Sequence, residues 1–156
     1  MEKDKFKVVV IGIIFDPKER KILVGKNKGD SSYSFLEGNL RQDEELDVGL
    51  KRVTFEKTGY KVHNLGAIYA RNNIDDRKDV LELFFLCEAT EGNEKPGENV
   101  EELKWIKPSE VESTIDRELR ATLRDYMSFL REIYSKKYLP KMWQKNRKRT
   151  LQVDKE

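Results

Sequence analysis

The order of elements written in this sequence is strands, helix, strands, helix. That order predicts a sandwich of α+β or α/β type rather than an all-helical bundle. Three observations carry it. Residues 5–15 (KFKVVVIGIIF) form a β-branched apolar run without helical spacing. Residues 43–58 instead repeat apolar positions every three or four residues, at Leu46, Leu50, Val53 and Thr54. Residues 80–89 return to an apolar, strand-like run. A length of 156 residues suits one domain that needs no disulfide or metal to hold it.

Taken in order, residues 5–15 read as a buried strand. Asp16-Pro17-Lys18-Glu19 reads as a turn, because proline presets the turn φ. Residues 21–26 (KILVGK) pair back as a hairpin strand, and 27–34 form a polar loop. Residues 34–40 are short, extended and interrupted by Gly38. The helix over 43–58 starts in a crowd of acids (Asp43, Glu44, Glu45, Asp47), which suits the positive end of its dipole. Gly59 supplies a left-handed stop. Residues 61–70 and 80–89 read as two strands around a polar turn at 71–79, followed by a loop over 90–99 and a short strand over 102–106. A long helix is expected over 116–138, with Leu119, Leu123, Tyr126, Met127, Leu130, Ile133 and Tyr134 as its apolar stripe and Pro140 beyond it.

Composition removes several classes. Apolar residues make up 37% of the chain and charged residues 38%, but the charge is of both signs and the apolar runs are strong, so the chain reads as globular. One cysteine, Cys87, excludes a disulfide framework and a cysteine-based zinc site. One histidine, His63, excludes multi-histidine metal centres. No apolar stretch is long enough to span a bilayer, and residues 1–7 lack the apolar core of a signal peptide, so a cytoplasmic location is expected. Residues 1–130 carry 22 Lys and Arg against 26 Asp and Glu, whereas 131–156 carry 9 against 3. A mildly acidic body therefore precedes a strongly basic tail, which suggests an anionic partner for the tail.

Gly38, Glu44, Arg52, Glu56 and Gly59 form a spaced pattern. The segment GNLRQDEELDVGLKRVTFEKTGY, residues 38–60, resembles the Nudix box without a gap. That box reads G, five residues, E, seven residues, then R-E-U-x-E-E-x-G-U, with U bulky and apolar. Tyr33 and Phe35 stand where the family often carries aromatics, and EELKW (101–105) is similar to its final strand. The resemblance covers about residues 5–130. It implies a Nudix-like α/β/α sandwich with a mixed β-sheet, cleavage of a pyrophosphate linked to a nucleoside, and Mg2+ or Mn2+ held by carboxylates gathered on one helix face.

The box is degenerate where its chemistry is most demanding. Val53 and Lys57 stand where it has glutamates. Lys57 brings a positive charge that could partly replace a metal's charge but not its Lewis acidity. Arg41 occupies a position before the helix that is often acidic in the family. If the protein is active, the resemblance implies Glu56, Arg52 and Glu44 as catalytic residues. It implies Glu56, Glu44 and Glu98 as metal ligands, with Glu37, Glu101 and Glu102 as further acids. Tyr33, Gly38 and Lys57 are the expected nucleotide-binding residues, Tyr33 either by stacking on a base or simply by packing. Arg52 and Glu56 are spaced to pair on the helix, and Glu44 could reach Arg52 across the loop.

In the tail, Lys136, Lys137, Lys141, Lys145, Arg147, Lys148 and Arg149 are interleaved with Tyr138 and Trp143. Basic groups neutralise phosphates and aromatics stack on unpaired bases, so RNA or a ribonucleoprotein is the expected partner. The alternatives are anionic lipid or another acidic partner, a solvated and partly disordered end, and a fold-back onto the acidic body. His63 reads as a surface or edge residue, Cys87 and Trp105 as core, and Ser31, Ser32 and Ser34 as loop. The division expected is a domain over 1–134 and a basic extension over 135–156. The function expected is a weakened or inactive Nudix-fold protein that binds RNA through its tail. The alternatives are a Mg2+-dependent hydrolase of nucleoside diphosphate derivatives and a nucleotide-sensing module without hydrolysis.

Overall fold

β1 (Lys7–Asp16) is the strand on which the sheet is built. In the computed structural model, which describes residues 7–73, 77–115 and 123–125, three strands pair with it. β5 (Arg77–Gly92) runs parallel along one edge, from Lys7 opposite Val80 to Phe15 opposite Glu88. The other edge is shared. β3 (Leu36–Asn39) takes the first half antiparallel, with Val10 opposite Gly38. β2 (Lys21–Asn27) takes the last residues antiparallel, with Phe15 opposite Ile22. β4 (Tyr60–Asn73) and β6 (Val100–Ile106) complete a six-stranded mixed sheet of order β4-β5-β1-β2-β6, with β3 beside β1.

The alternation of β1 divides its apolar residues between two faces. Val9, Ile11, Ile13 and Phe15 join Phe35, Phe84, Leu86 and Ile106 in one buried cluster. Val10 and Ile14 join Leu23, Leu36, Leu50, Val53 and Cys87 in the other, beneath α1 (Leu46–Thr58). A 3-10 turn (Pro108–Glu110) and a short helix, α2 (Val111–Thr114), follow β6, and Val111 and Ile115 join the first cluster.

Several expectations are corrected. The helix starts at Leu46, not Asp43, which has a positive φ of 61°. Glu44 lies in the loop before the helix, where the Arg41 amide donates to its carboxylate. Leu46 does not belong to the buried stripe; it is 42% exposed, and Gly49, Leu50, Val53, Thr54 and Thr58 form the inner face. The region read as a turn over 71–79 is mostly strand, since β4 runs to Asn73 and β5 starts at Arg77. The register sets Arg71 opposite Glu82 and Asn73 opposite Arg77, so these polar residues have polar neighbours across the hairpin. Trp105 is half-buried rather than core, with its indole turned to a carboxylate.

Cys87 is buried and free, and burial pushes its thiol up to about 12. His63 is exposed on β4, an outer strand of the sheet. The helix expected over 116–138 lies outside the described residues except at 123–125, which are helical and include buried Leu123. The extension over 135–156 lies wholly outside them.

Candidate functional site

α1 is clamped to the loop before it by one guanidinium. Arg52 Nε donates to Glu44 Oε2 at 2.7 Å, and Arg52 Nη2 donates to Glu44 Oε1 at 2.9 Å. The same Nη2 donates to the Asn39 carbonyl at 2.9 Å, and Nη1 donates to Glu56 Oε1 at 2.7 Å. The loop side adds the Arg41 amide, which donates to Glu44 Oε1 at 3.0 Å. The planar fork of arginine suits such two-point carboxylate recognition. Arg52, Glu44 and Glu56 are therefore brought together, as their spacing predicted. The Asn39 carbonyl and the Arg41 amide were invisible in the sequence, because main-chain partners leave no residue signature.

The electrostatics follow from this clamp. Hydrogen bonds from Arg52, then from the Arg41 amide, hold the Glu44 carboxyl down to about 2. Glu44, in return, with Glu56 behind it, raises Arg52 further above its ordinary range. The Glu44 side chain is only 11% exposed, whereas that of Glu56 is 48% exposed. Both oxygens of Glu44 are thus engaged by protein donors, and Glu56 stands at the open rim.

The two departures from the box have distinct fates. Val53 is buried at 2% exposure within the core under α1. Gly38 sits directly above it: a Cβ at Gly38 would lie 2.9 Å from Val53 Cγ2, closer than real Cβ atoms come. Lys57 is half-buried on the last turn of α1. The chain turns at Gly59, whose φ of 81° favours glycine, and donates its N–H to the Phe55 carbonyl. The loop after β5 then closes on the helix end, with the Lys95 amide donating to the Thr58 carbonyl at 2.8 Å and the Gly97 amide to the Lys57 carbonyl at 3.0 Å.

That loop is pinned by Glu94, which nothing in the sequence pattern marked. Glu94 Oε1 accepts from Trp105 Nε1 at 2.8 Å and from the Tyr60 hydroxyl at 3.2 Å. The two rings meet edge to face with centroids 5.9 Å apart. Desolvation, then the Glu94 charge, raises the Tyr60 hydroxyl above its ordinary value. Glu98, further along the loop, is exposed. Tyr33 packs partly into the first core cluster and donates its hydroxyl to Glu102 at 2.5 Å, while the Lys104 ammonium lies 5.3 Å from its ring centre. On the same face Arg71 Nε donates to fully buried Glu82 at 2.7 Å and stands over the Phe84 ring. The cross-strand register would have revealed that pair.

A divalent ion such as Mg2+ or Mn2+ needs several oxygen ligands at once. Here Glu44 is engaged by Arg52, Val53 offers no oxygen, and Lys57 is cationic. Among the described residues, no group of three or more His, Cys, Asp or Glu is placed to hold a metal ion, so Glu44, Glu56 and Glu98 do not assemble one. The described donor set does not fit such an ion. The tail residues 136–149 lie outside the described residues. No helix among the described residues is long and apolar enough to cross a membrane.

Comparison with known proteins bears on this geometry. No curated protein matches the sequence. Among solved structures, the chain is similar to a NUDIX hydrolase from Nitrosomonas europaea, with a TM-score of 0.67, 19% identity, and 80% of this chain and 71% of that one covered. It is also similar to the MutT protein of Methanosarcina mazei Go1, with a TM-score of 0.64, 18% identity, and 82% and 94% covered. An ADP-ribose pyrophosphatase from Streptococcus suis aligns with a TM-score of 0.57 and 19% identity over 66% of this chain and 75% of that one. At such identities these likenesses carry the fold. The NUDIX domain model matches residues 5–126, most of the sequence and all of the sheet, and this chain belongs to that family.

Proposed function

We infer that this protein binds a nucleoside diphosphate derivative at the Nudix helix and hydrolyses it far more slowly than a family member with a complete box. The ligand class is supported by the family and by neighbours described as hydrolases and as an ADP-ribose pyrophosphatase. The slow step is supported by one observation above the others: Val53, buried in the core, stands where the box carries a glutamate. A side chain without oxygen contributes nothing to a charged site, whatever surrounds it.

Hydrolysis supported by Mg2+ or Mn2+ is the second reading. It is favoured by the intact frame of Gly38, Glu44, Arg52 and Glu56 and by the hydrolase descriptions of the structural neighbours. RNA binding by the basic tail rests on the sequence alone.

The deciding experiment combines binding and turnover on one panel of nucleoside triphosphates, nucleoside diphosphates, ADP-ribose and dinucleoside polyphosphates, with Mg2+ and with Mn2+. The expected result is saturable binding with turnover below about 1 s⁻¹, the lower end of ordinary enzyme rates. Ordinary turnover that disappears in Glu56→Gln would establish the second reading. Absence of binding across the panel would refute the ligand class, and salt-sensitive RNA binding lost on truncation after Tyr134 would then assign function to the tail.

A further inference from the structure

We propose that the Nudix helix of this chain receives the diphosphate of its ligand without a divalent ion, and that Lys57 supplies the positive charge. This deepens the function proposed above and rests on it.

The argument begins with charge. Among the ionisable box side chains Glu44 and Glu56 are acids, and Arg52 and Lys57 are bases. Their formal charges cancel. A box with glutamates at positions 53 and 57 would be more negative by three charges, one from the first position and two from the second. Such a face repels an anionic diphosphate unless a cation intervenes. The four box side chains present here add no such net charge.

The cations on this face are not equivalent. Arg52 is consumed internally, because Glu44, Glu56 and the Asn39 carbonyl accept its hydrogen bonds. Lys57 has no ion pair with any described acid. It lies four residues beyond Val53, which is also three residues before Glu56, so Val53 neighbours both positions on the helix surface. The Val53 end is closed by Gly38, and the Glu56 end is open to solvent. Lys57, in the same turn as exposed Glu56, is itself half-buried, and its ammonium is a point charge with three rotatable donors that can meet phosphate oxygens.

Its environment favours an anion in a second way. The last-turn carbonyls of Lys57 and Thr58 would otherwise present the negative end of the helix dipole. They are capped by the Gly97 and Lys95 amides of the loop pinned by Glu94. Capping these carbonyls lowers the local negative potential, so the ammonium is less needed to complement the helix end and more available to a ligand.

Isothermal titration of the full chain with ADP and with inorganic pyrophosphate tests this, once in Mg2+ and once in EDTA. The expected result is saturable binding in EDTA at least as tight as in Mg2+, where the ion held by the ligand in solution offsets part of its charge. Lys57→Gln should weaken binding in EDTA by about tenfold, the scale of one lost charge-assisted hydrogen bond, and Lys57→Arg should retain it. Unchanged melting temperatures would confirm that both variants fold. Binding that requires Mg2+ would overturn the inference while leaving the proposed function intact, and so would unchanged affinity of Lys57→Gln. Absence of binding in either buffer would overturn both.

Discussion

Gly38 on β3 and Val53 on α1 are in contact so close that only a hydrogen fits between them: a side-chain carbon on Gly38 would sit 2.9 Å and 3.0 Å from the two Val53 methyls. The glycine that opens the Nudix box and the valine that breaks its charge pattern are thus neighbours in space. Their contact seals the helix against the sheet.

Gly38→Ala should therefore destabilise the fold by about 1–3 kcal/mol, the usual cost of overpacking a well-filled site. Val53→Ala alone should also destabilise, by leaving a gap. The double variant should recover part of the Gly38→Ala loss, because the two sites are coupled through one contact. Urea unfolding of the four proteins measures the coupling, and strict additivity would contradict it.

The Glu44–Arg52 clamp should give stability a definite pH dependence. The folded-state Glu44 carboxyl lies near 2, below its ordinary 4.5, so folding binds its proton less tightly than the unfolded chain does. Its contribution is then complete above pH 4.5 and is lost as the pH falls toward 2. The stability difference between wild type and Glu44→Gln should be constant near neutral pH and shrink across that acid window. Thermal unfolding at a series of pH values reads this directly. A difference that persists unchanged at pH 2 would show that the clamp is not electrostatic.

Glu94 should act on the loop rather than on the core. Removing its carboxylate in Glu94→Ala unties Trp105 and Tyr60 from the segment that caps α1. A global loss of about 1 kcal/mol is expected, the typical worth of such hydrogen bonds. Amide exchange at Lys95 and Gly97 should accelerate more than exchange within β1, since those amides depend on the loop remaining seated. Equal acceleration everywhere would mean that Glu94 holds the whole fold rather than the loop.

Much of the architecture was legible because it is local. The alternating apolar run of β1, the helical spacing of Leu50, Val53 and Thr54, and the stop at Gly59 each reflect a backbone period or a permitted φ that neighbours in sequence decide. The box spacing likewise predicted the Arg52–Glu56 pair, because residues four apart on a helix meet wherever the helix is placed. The hairpin of β4 and β5 was underread for the opposite reason. Its polar ends look like a turn until register sets Arg71 opposite Glu82.

The sequence by itself determined the family pattern, the two missing glutamates and the charge reversal at Lys57, all of which are properties of residue type at a spacing. Only the tertiary structure decided what those changes mean. It buried Val53 under Gly38, spent Arg52 on Glu44, Glu56 and a main-chain carbonyl, and brought the Glu94 loop across the end of α1. Those outcomes depend on strands and loops distant in sequence meeting at one place, where packing distance and main-chain donors, which no residue letter records, set which charges remain free.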